Sequence, residues 1–367
     1  MIKKIIIFLL LFITLLLGIN TVSFTKIVTI GVGDSHIIVV DSKDNIYGWG
    51  LNRHSQLISS ENKEIVIPKK IIELSGVISA SGGYVHTTIL KKDGTVWSWG
   101  TNSDGQLGSG NRLDYNFPVR VKKLENIISI SSSGYNNMAL KKDGTVWCWG
   151  ANDWVQLGSY EFEGHTAKKI DGLSNIVDIS CGGFFSLALD KNGKIYAWGN
   201  NRDICLGVDS KDEVVERPLQ IKDVQNVVDI GSSPYGILAL MNDGSVWRWG
   251  NTLEKPAKIE GLKNIISIDI AMAQSIFLKN DGTVYTMGTN DYGQLGSNDN
   301  IDHKVPIQVK GLKNIIDVKT GDGFCVALEK NGTIWTWGNN NYGQLGNGTR
   351  VNTCIPQKVD IKSISNK

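Results

Sequence analysis

The chain carries no excess of either charge. Lys and Arg number 38 and Asp and Glu 36 among 367 residues, and setting aside Lys3 and Lys4 in the N-terminal segment leaves 36 of each sign. With no basic stripe either, recognition of nucleic acid through phosphate neutralisation is excluded as the main activity. Proline is scarce, at 7 residues. The five cysteines (Cys148, Cys181, Cys205, Cys325 and Cys354) are odd in number, irregularly spaced and without a CxxC pair. Neither a zinc site nor a disulfide framework is signalled. No P-loop, GxGxxG, HExxH or GxSxG string occurs, so the common catalytic signatures are missing. What is abundant is glycine, at 41 residues, and tryptophan, at 11, within an ordinary balance of 41% hydrophobic and 20% charged residues. That is the composition of a folded, turn-rich β protein.

Residues 1–24 stand apart. A basic start (Lys3, Lys4), an apolar run from Ile5 to Leu17 and a small, polar end (Gly18, Asn20, Thr21, Ser23) follow the layout of a secretory signal peptide. The uncharged stretch to Thr25 is also long enough for an uncleaved membrane anchor. Either way residues 25–367 are expected to be exported.

Those residues repeat. The strings YGWG, WSWG, WCWG, YAWG, WRWG, YTMG and WTWG end at Gly50, Gly100, Gly150, Gly199, Gly250, Gly288 and Gly338, at spacings of 50, 50, 49, 51, 38 and 50. Each is preceded by two apolar tetrads, such as VISA and TTIL, of buried strand length. A polar turn such as Lys91 to Gly94 joins the second tetrad to the aromatic string, its Asp-Gly supplying the positive φ of a tight hairpin. After the string comes N-x-x-G-Q-L-G, as in Asn102 to Gly108, and then a strand led by proline, as from Pro118. Four short strands, seven times over, cannot each bury both faces alone, so the sheets must stack in a ring. The expected fold is all-β, a seven-bladed propeller with one blade shortened. The two aromatics of WxW share a sheet face and wedge between blades. Because Pro356 to Val359 look left over, they are expected to complete the sheet begun at Ile27.

DGTVWSWGTNSDGQLGSG and NGTIWTWGNNNYGQLGNG resemble the repeats of the regulator of chromosome condensation family, over nearly the whole chain after the leader. The resemblance implies seven-bladed propellers of divergent function. A nuclear type exchanges guanine nucleotide on the small GTPase Ran, and a secreted bacterial type inhibits β-lactamase. Here the longest spacing is 51, so no projecting hairpin is inserted for a GTPase, and a leader stands where a basic chromatin tail belongs. The family's histidine before the second strand is matched by His36 and His86 but not by Asn136, Phe185, Gly236, Gln274 or Phe324, which excludes a ring of catalytic histidines.

Strand parity puts the loop after strand one and the loop after WG on one end of the ring, face A, and the Lys-Asp-Gly turns on face B. Face A gathers Tyr84, Tyr135, Phe184, Phe185 and Tyr235 from the first loops and Trp154, Tyr292 and Tyr342 from the second. Loop aromatics converging on a rim suit a protein-binding surface. Unit five has lost its N-x-x-G-Q-L-G loop, which is expected to leave a notch beside Tyr235. No carboxylate repeats across blades outside the turns, so the expected function is a non-catalytic, monomeric scaffold for a protein partner, an enzyme that it inhibits among the candidates, with no cofactor, no metal and no nucleic acid. A membrane enters only through the leader. An exchange factor and a propeller enzyme of unknown substrate are the alternatives.

Overall fold

The computed structural model describes residues 27–58, 63–202, 205–250 and 253–361; the leader 1–24 lies outside them. Seven antiparallel sheets of four strands each make up the described chain, which is a seven-bladed propeller without an α-helix among the described residues. In blade two the strands are Val77–Gly82, His86–Lys91, Val96–Gly100 and Tyr115–Arg120, in that order from the inside outwards. The other blades repeat the order.

The apolar tetrads form the inner two strands, with one departure. A register shift lies between the first and third residues of the inner strand, as at Val77 and Ser79. Such a bulge turns the second residue outwards. Val28, Ile78, Ile128, Val177, Val228 and Ile316 are therefore exposed, not buried as the tetrad reading has it. The hairpin turns also refine the expectation. Gly94 alone takes positive φ, at 78°, while Asp93 accepts from the Thr95 amide at 3.0 Å and from its hydroxyl at 2.6 Å.

The two positions of WxW do different things. The first tryptophan, as Trp97 or Trp147, is half-buried beneath a turn lysine, with Lys91 Nζ 5.9 Å and Lys141 Nζ 5.5 Å from the ring centres. The second is buried, and its indole N–H crosses to the preceding blade. Trp99 donates to the Gln56 carbonyl at 2.8 Å, Trp149 to Gln106 at 3.0 Å, Trp198 to Gln156 at 2.9 Å, and Trp337 to Gln294 at 2.9 Å. These carbonyls belong to the N-x-x-G-Q-L-G loop, and several are doubly used. Gln56 also accepts from the Thr87 hydroxyl at 2.8 Å, and Gln106 from Asn137 Nδ2 at 3.0 Å. Both lone pairs of a buried oxygen are thereby satisfied.

The ring does not close by a shared strand. Thr353–Val359 pairs with Ile334–Gly338 of its own blade, and blade one already has its fourth strand, Glu64–Glu73. Closure comes from the ordinary junction: Trp49 donates to the Gln344 carbonyl at 2.9 Å, Asp322 N–H to the Asp34 carbonyl at 2.9 Å, and Gly348 N–H to the Val66 carbonyl at 2.9 Å. Every blade consequently ends on an outer strand. Six of the seven prolines sit there: Pro68, Pro118, Pro218, Pro256, Pro306 and Pro356 lie on fourth strands. Proline offers no amide to a second chain, so it guards the edge against sheet-to-sheet association.

Candidate functional site: the face A rim and the channel

Both loop sets meet at one end, as parity requires. Among the described residues, the one after the WG donates its amide to the first loop: Leu51 to Ser35 at 2.9 Å, Thr101 to Val85 at 3.1 Å, Ala151 to Tyr135 at 3.0 Å, and Asn339 to Gly323 at 2.8 Å. The second loop is held from within by its asparagine. Asn102 Oδ1 accepts from the Leu107 amide at 2.9 Å, and Asn340 Oδ1 from Leu345 at 2.9 Å. Glycine serves the turn at Gly105, with φ 79°, where Val155 in unit three and Ser55 in unit one take the same left-handed conformation at 58° and 56°. Residues with a Cβ are strained there.

On this frame the sequence-predicted aromatics divide. Tyr84 (45%), Tyr135 (38%), Phe184 (42%), Tyr235 (49%) and Tyr292 (39%) are exposed. Tyr84 and Tyr135 pair, with ring centres 5.7 Å apart and planes tilted by 57°. Tyr292 lies over Gly323 so closely that a Cβ there would meet its ring at 2.9 Å. Trp154 and Tyr342 are half-buried and capped by arginines of the next blade: Arg202 lies 4.4 Å from the Trp154 ring centre and Arg53 5.5 Å from that of Tyr342. Phe185 does not belong to the rim. It opens the second strand of blade four, where His36 and His86 open theirs, and is 2% exposed. Its inward direction follows from alternation, since its neighbour Phe184 occupies the outward loop position.

The same strand-opening position explains the two histidines. His36 Nε2–H donates to Thr87 Oγ1 at 3.0 Å and His86 Nε2–H to Asn137 Oδ1 at 2.8 Å, both fully buried. Burial holds them neutral, pushing His36 down to about 3 and His86 to about 4. They are joints between blades.

The rim extends to residues the sequence reading passed over. Leu113 (65%), Ile301 (66%) and Val351 (70%) are among the most exposed large apolar residues. Each stands eleven places after its loop asparagine, and Asn102 and Asn340 Nδ2 donate to the Leu113 and Val351 carbonyls at 3.0 and 3.1 Å. Backbones are fixed while side chains face water. The constant offset was the signal available in the sequence.

The missing loop of unit five also has a different consequence. Elsewhere this loop leans forward, so that Gly293 lies against Cys354 and Gly343 against Val66, each two residues before an outer-strand proline. The equivalent ground on blade six is the exposed Lys304, before Pro306. The gap thus extends over the following blade rather than only beside Tyr235.

Inner strands of all seven blades line a channel of about 2190 Å³. A carboxylate does repeat here, contrary to the sequence reading: Asp178, Asp229 and Asp317 hold the same inner-strand place in blades four, five and seven. Masked within apolar tetrads, they face the channel because of the bulge. Asp269 lies one alternation further along in blade six, and Lys319 at that same position in blade seven. Asp269 above all, then Asp317, Asp229 and Asp178, keeps Lys319 charged. Burial raises Asp269. At the face A mouth, burial and then the neighbouring Asp322 push Asp34 up to about 7, and burial raises Asp322. Among the described residues no group of three or more His, Cys, Asp or Glu is placed to hold a metal ion.

Models of the regulator of chromosome condensation (RCC1) repeat match residues 93–140, 143–189, 192–240, 281–328 and 331–366, and a second such model matches 27–56, 77–106, 176–204 and 315–344. No curated protein matches the chain in sequence. Among solved structures, yeast RCC1 (Prp20) bound to Kap60 is similar at a TM-score of 0.78 and 23% identity, over 87% of this chain and 84% of that one. Human WBSCR16 is similar at a TM-score of 0.72 and 22% identity, over 82% and 86%. A second structure of Prp20p from Saccharomyces cerevisiae, described with its binding to Gsp1p and histones, gives 0.56 and 22% over 92% and 77%. At these identities the structural likeness establishes the fold, while the repeat models cover most of the chain: it belongs to the regulator of chromosome condensation repeat family.

Proposed function

We propose that this chain is an exported, non-catalytic scaffold that binds a protein partner through face A, with inhibition of a secreted or surface enzyme as one outcome of that binding. The observation that carries the reading is the arc of exposed aromatics Tyr84, Tyr135, Phe184 and Tyr235 on consecutive blades. Soluble proteins seldom leave such a patch in water without use. Tyrosine in particular gives contact area at little entropic cost. A standard interface takes about 800 Å² from each partner, which a rim built from both loop sets can supply. Yeast RCC1, similar to this chain in fold, binds Kap60 in one structure and is known with its binding to Gsp1p and histones from another, which supports a binding role for the fold. Export rests on the leader, whose removal is expected to leave a chain starting near Phe24.

Capture from culture supernatant and cell-surface fractions, followed by affinity measurement with the captured protein, tests this. Tyr84→Ala with Tyr135→Ala is expected to weaken binding by about 2 kcal/mol or more at unchanged melting temperature. Full affinity in that variant, with loss on charge reversal of Lys92 and Lys142, would assign binding to face B. Full-length chain found soluble in the cytoplasm would remove the export reading, and nucleotide release from a small GTPase would replace the scaffold with an exchange factor.

A further inference from the structure

We propose that the face A mouth of the channel admits a basic segment of the protein partner, whose lysine or arginine side chains pass the aromatic arc and pair with the carboxylates of Asp34 and Asp322. The proposal rests on the rim reading above and names the chemistry of what the rim accepts.

Three observations converge on it. The first is the state of the two aspartates. They occupy the first loops of blades one and seven, whose backbones are joined by the bond from Asp322 N–H to the Asp34 carbonyl at 2.9 Å, and both are half-buried. No ion pair of the described residues includes either carboxylate. Asp34 holds its proton up to about 7 because of burial and of Asp322. A cation arriving beside them would offset both causes, because an opposite charge favours the ionised carboxylate.

The second is the balance of charge below the mouth. Lys319 already answers to Asp269, Asp317, Asp229 and Asp178. Along the whole lining carboxylates outnumber ammonium groups, so an acidic segment is repelled from the channel. The third is the approach. The Tyr84 and Tyr135 rings, 5.7 Å apart at the rim, present π faces that attract guanidinium and ammonium groups as the carboxylates do. Size then selects a chain segment over a small metabolite, because the channel, at about 2190 Å³, exceeds the roughly 300–1,000 Å³ of an ordinary small-molecule pocket.

The test uses the purified chain and a fluorescein-labelled tetra-arginine peptide, with tetra-glutamate as control, read by fluorescence anisotropy at low and high sodium chloride. The arginine peptide is expected to bind at low salt, to weaken at least tenfold at high salt, and to weaken at least tenfold in Asp34→Asn with Asp322→Asn at an unchanged melting temperature. Equal binding of the two peptides, or an arginine peptide indifferent to the double variant, overturns the proposal. If the double variant fails to fold, competition decides instead: unlabelled tetra-arginine should displace the captured partner from the wild-type chain, and failure to do so overturns the proposal. The two readings separate cleanly. A partner lost on Tyr84→Ala with Tyr135→Ala but indifferent to the aspartate variant and to salt leaves the rim standing and removes the basic segment. An arginine peptide that needs the aspartates, beside a partner indifferent to the tyrosines, does the reverse.

Discussion

The junction between blades five and six differs from the other six around the ring. At those six a buried indole, from Trp49, Trp99, Trp149, Trp198, Trp249 or Trp337, donates to a carbonyl in the loop of the preceding blade. Blade five has no such loop: Val246–Gly250 is followed almost at once by Leu253–Lys258. Blade six has Met287 where the tryptophan belongs, buried at 2%. The two departures look unrelated in the sequence, since one is a deletion in unit five and the other a substitution in unit six. Across the junction they are one change. A buried donor without its acceptor costs about 1–3 kcal/mol, and methionine fills the space without bringing a donor.

The largest expected effect lies at an intact junction. Trp99→Ala should cost about 3–5 kcal/mol, through the cavity left by a fully buried aromatic, read as a lower urea midpoint. A loss under 1 kcal/mol would mean that the indoles are not what holds adjacent blades.

Next comes acid, acting at the same junctions through His36 and His86. Their folded values, about 3 and about 4, lie below the unfolded 6.5. As pH falls below 6.5 the unfolded chain takes up protons that the folded chain refuses, so stability present above 6.5 is lost, by roughly 3 kcal/mol for each histidine on reaching pH 4. Asp34, raised in the fold, works in the opposite direction over part of that range. The comparison is therefore between the wild type and His86→Asn, which copies Asn136 at the equivalent place in blade three. The variant should flatten the acid limb of the melting profile, and an unchanged slope would remove the histidine from it.

Restoring the repeat at the exceptional junction should hurt. Met287→Trp is expected to destabilise by about 1–3 kcal/mol, because the indole finds no carbonyl. Inserting the loop sequence of Thr101 to Gly108 after Gly250 should recover part of that loss, and the double variant tests the coupling directly. A stabilised single variant would show the two changes to be independent.

The smallest effect compares a loop that keeps the glycine with one that does not. Ser55, at φ 56°, stands where Gly105 has 79°. Ser55→Gly should gain at most about 1 kcal/mol, since the left-handed cost of roughly 1–2 kcal/mol is partly offset by glycine's own entropy. A fall in melting temperature would point to a contact of the hydroxyl.

The rim was only partly legible. Tyr84, Tyr135, Phe184 and Tyr235 could be placed on face A because strand parity is a property of chain order. Phe185 could not, since adjacent residues at a strand start face opposite ways and the sequence does not mark where the strand begins. Asp178, Asp229 and Asp317 were hidden for a related reason: a bulge, invisible in an apolar tetrad, decides which residue of the inner strand turns to the channel.

By itself the sequence determined the number of blades, their strand order and the end of the ring at which the loops gather, because a periodic hydrophobic pattern and turn residues of fixed conformation act locally and repeat. Only the tertiary structure decided how the ring closes, which carbonyl each indole meets and why Met287 answers a deletion some forty residues earlier. Those contacts join residues whose separation along the chain says nothing of their nearness, and they exist only once the blades are side by side.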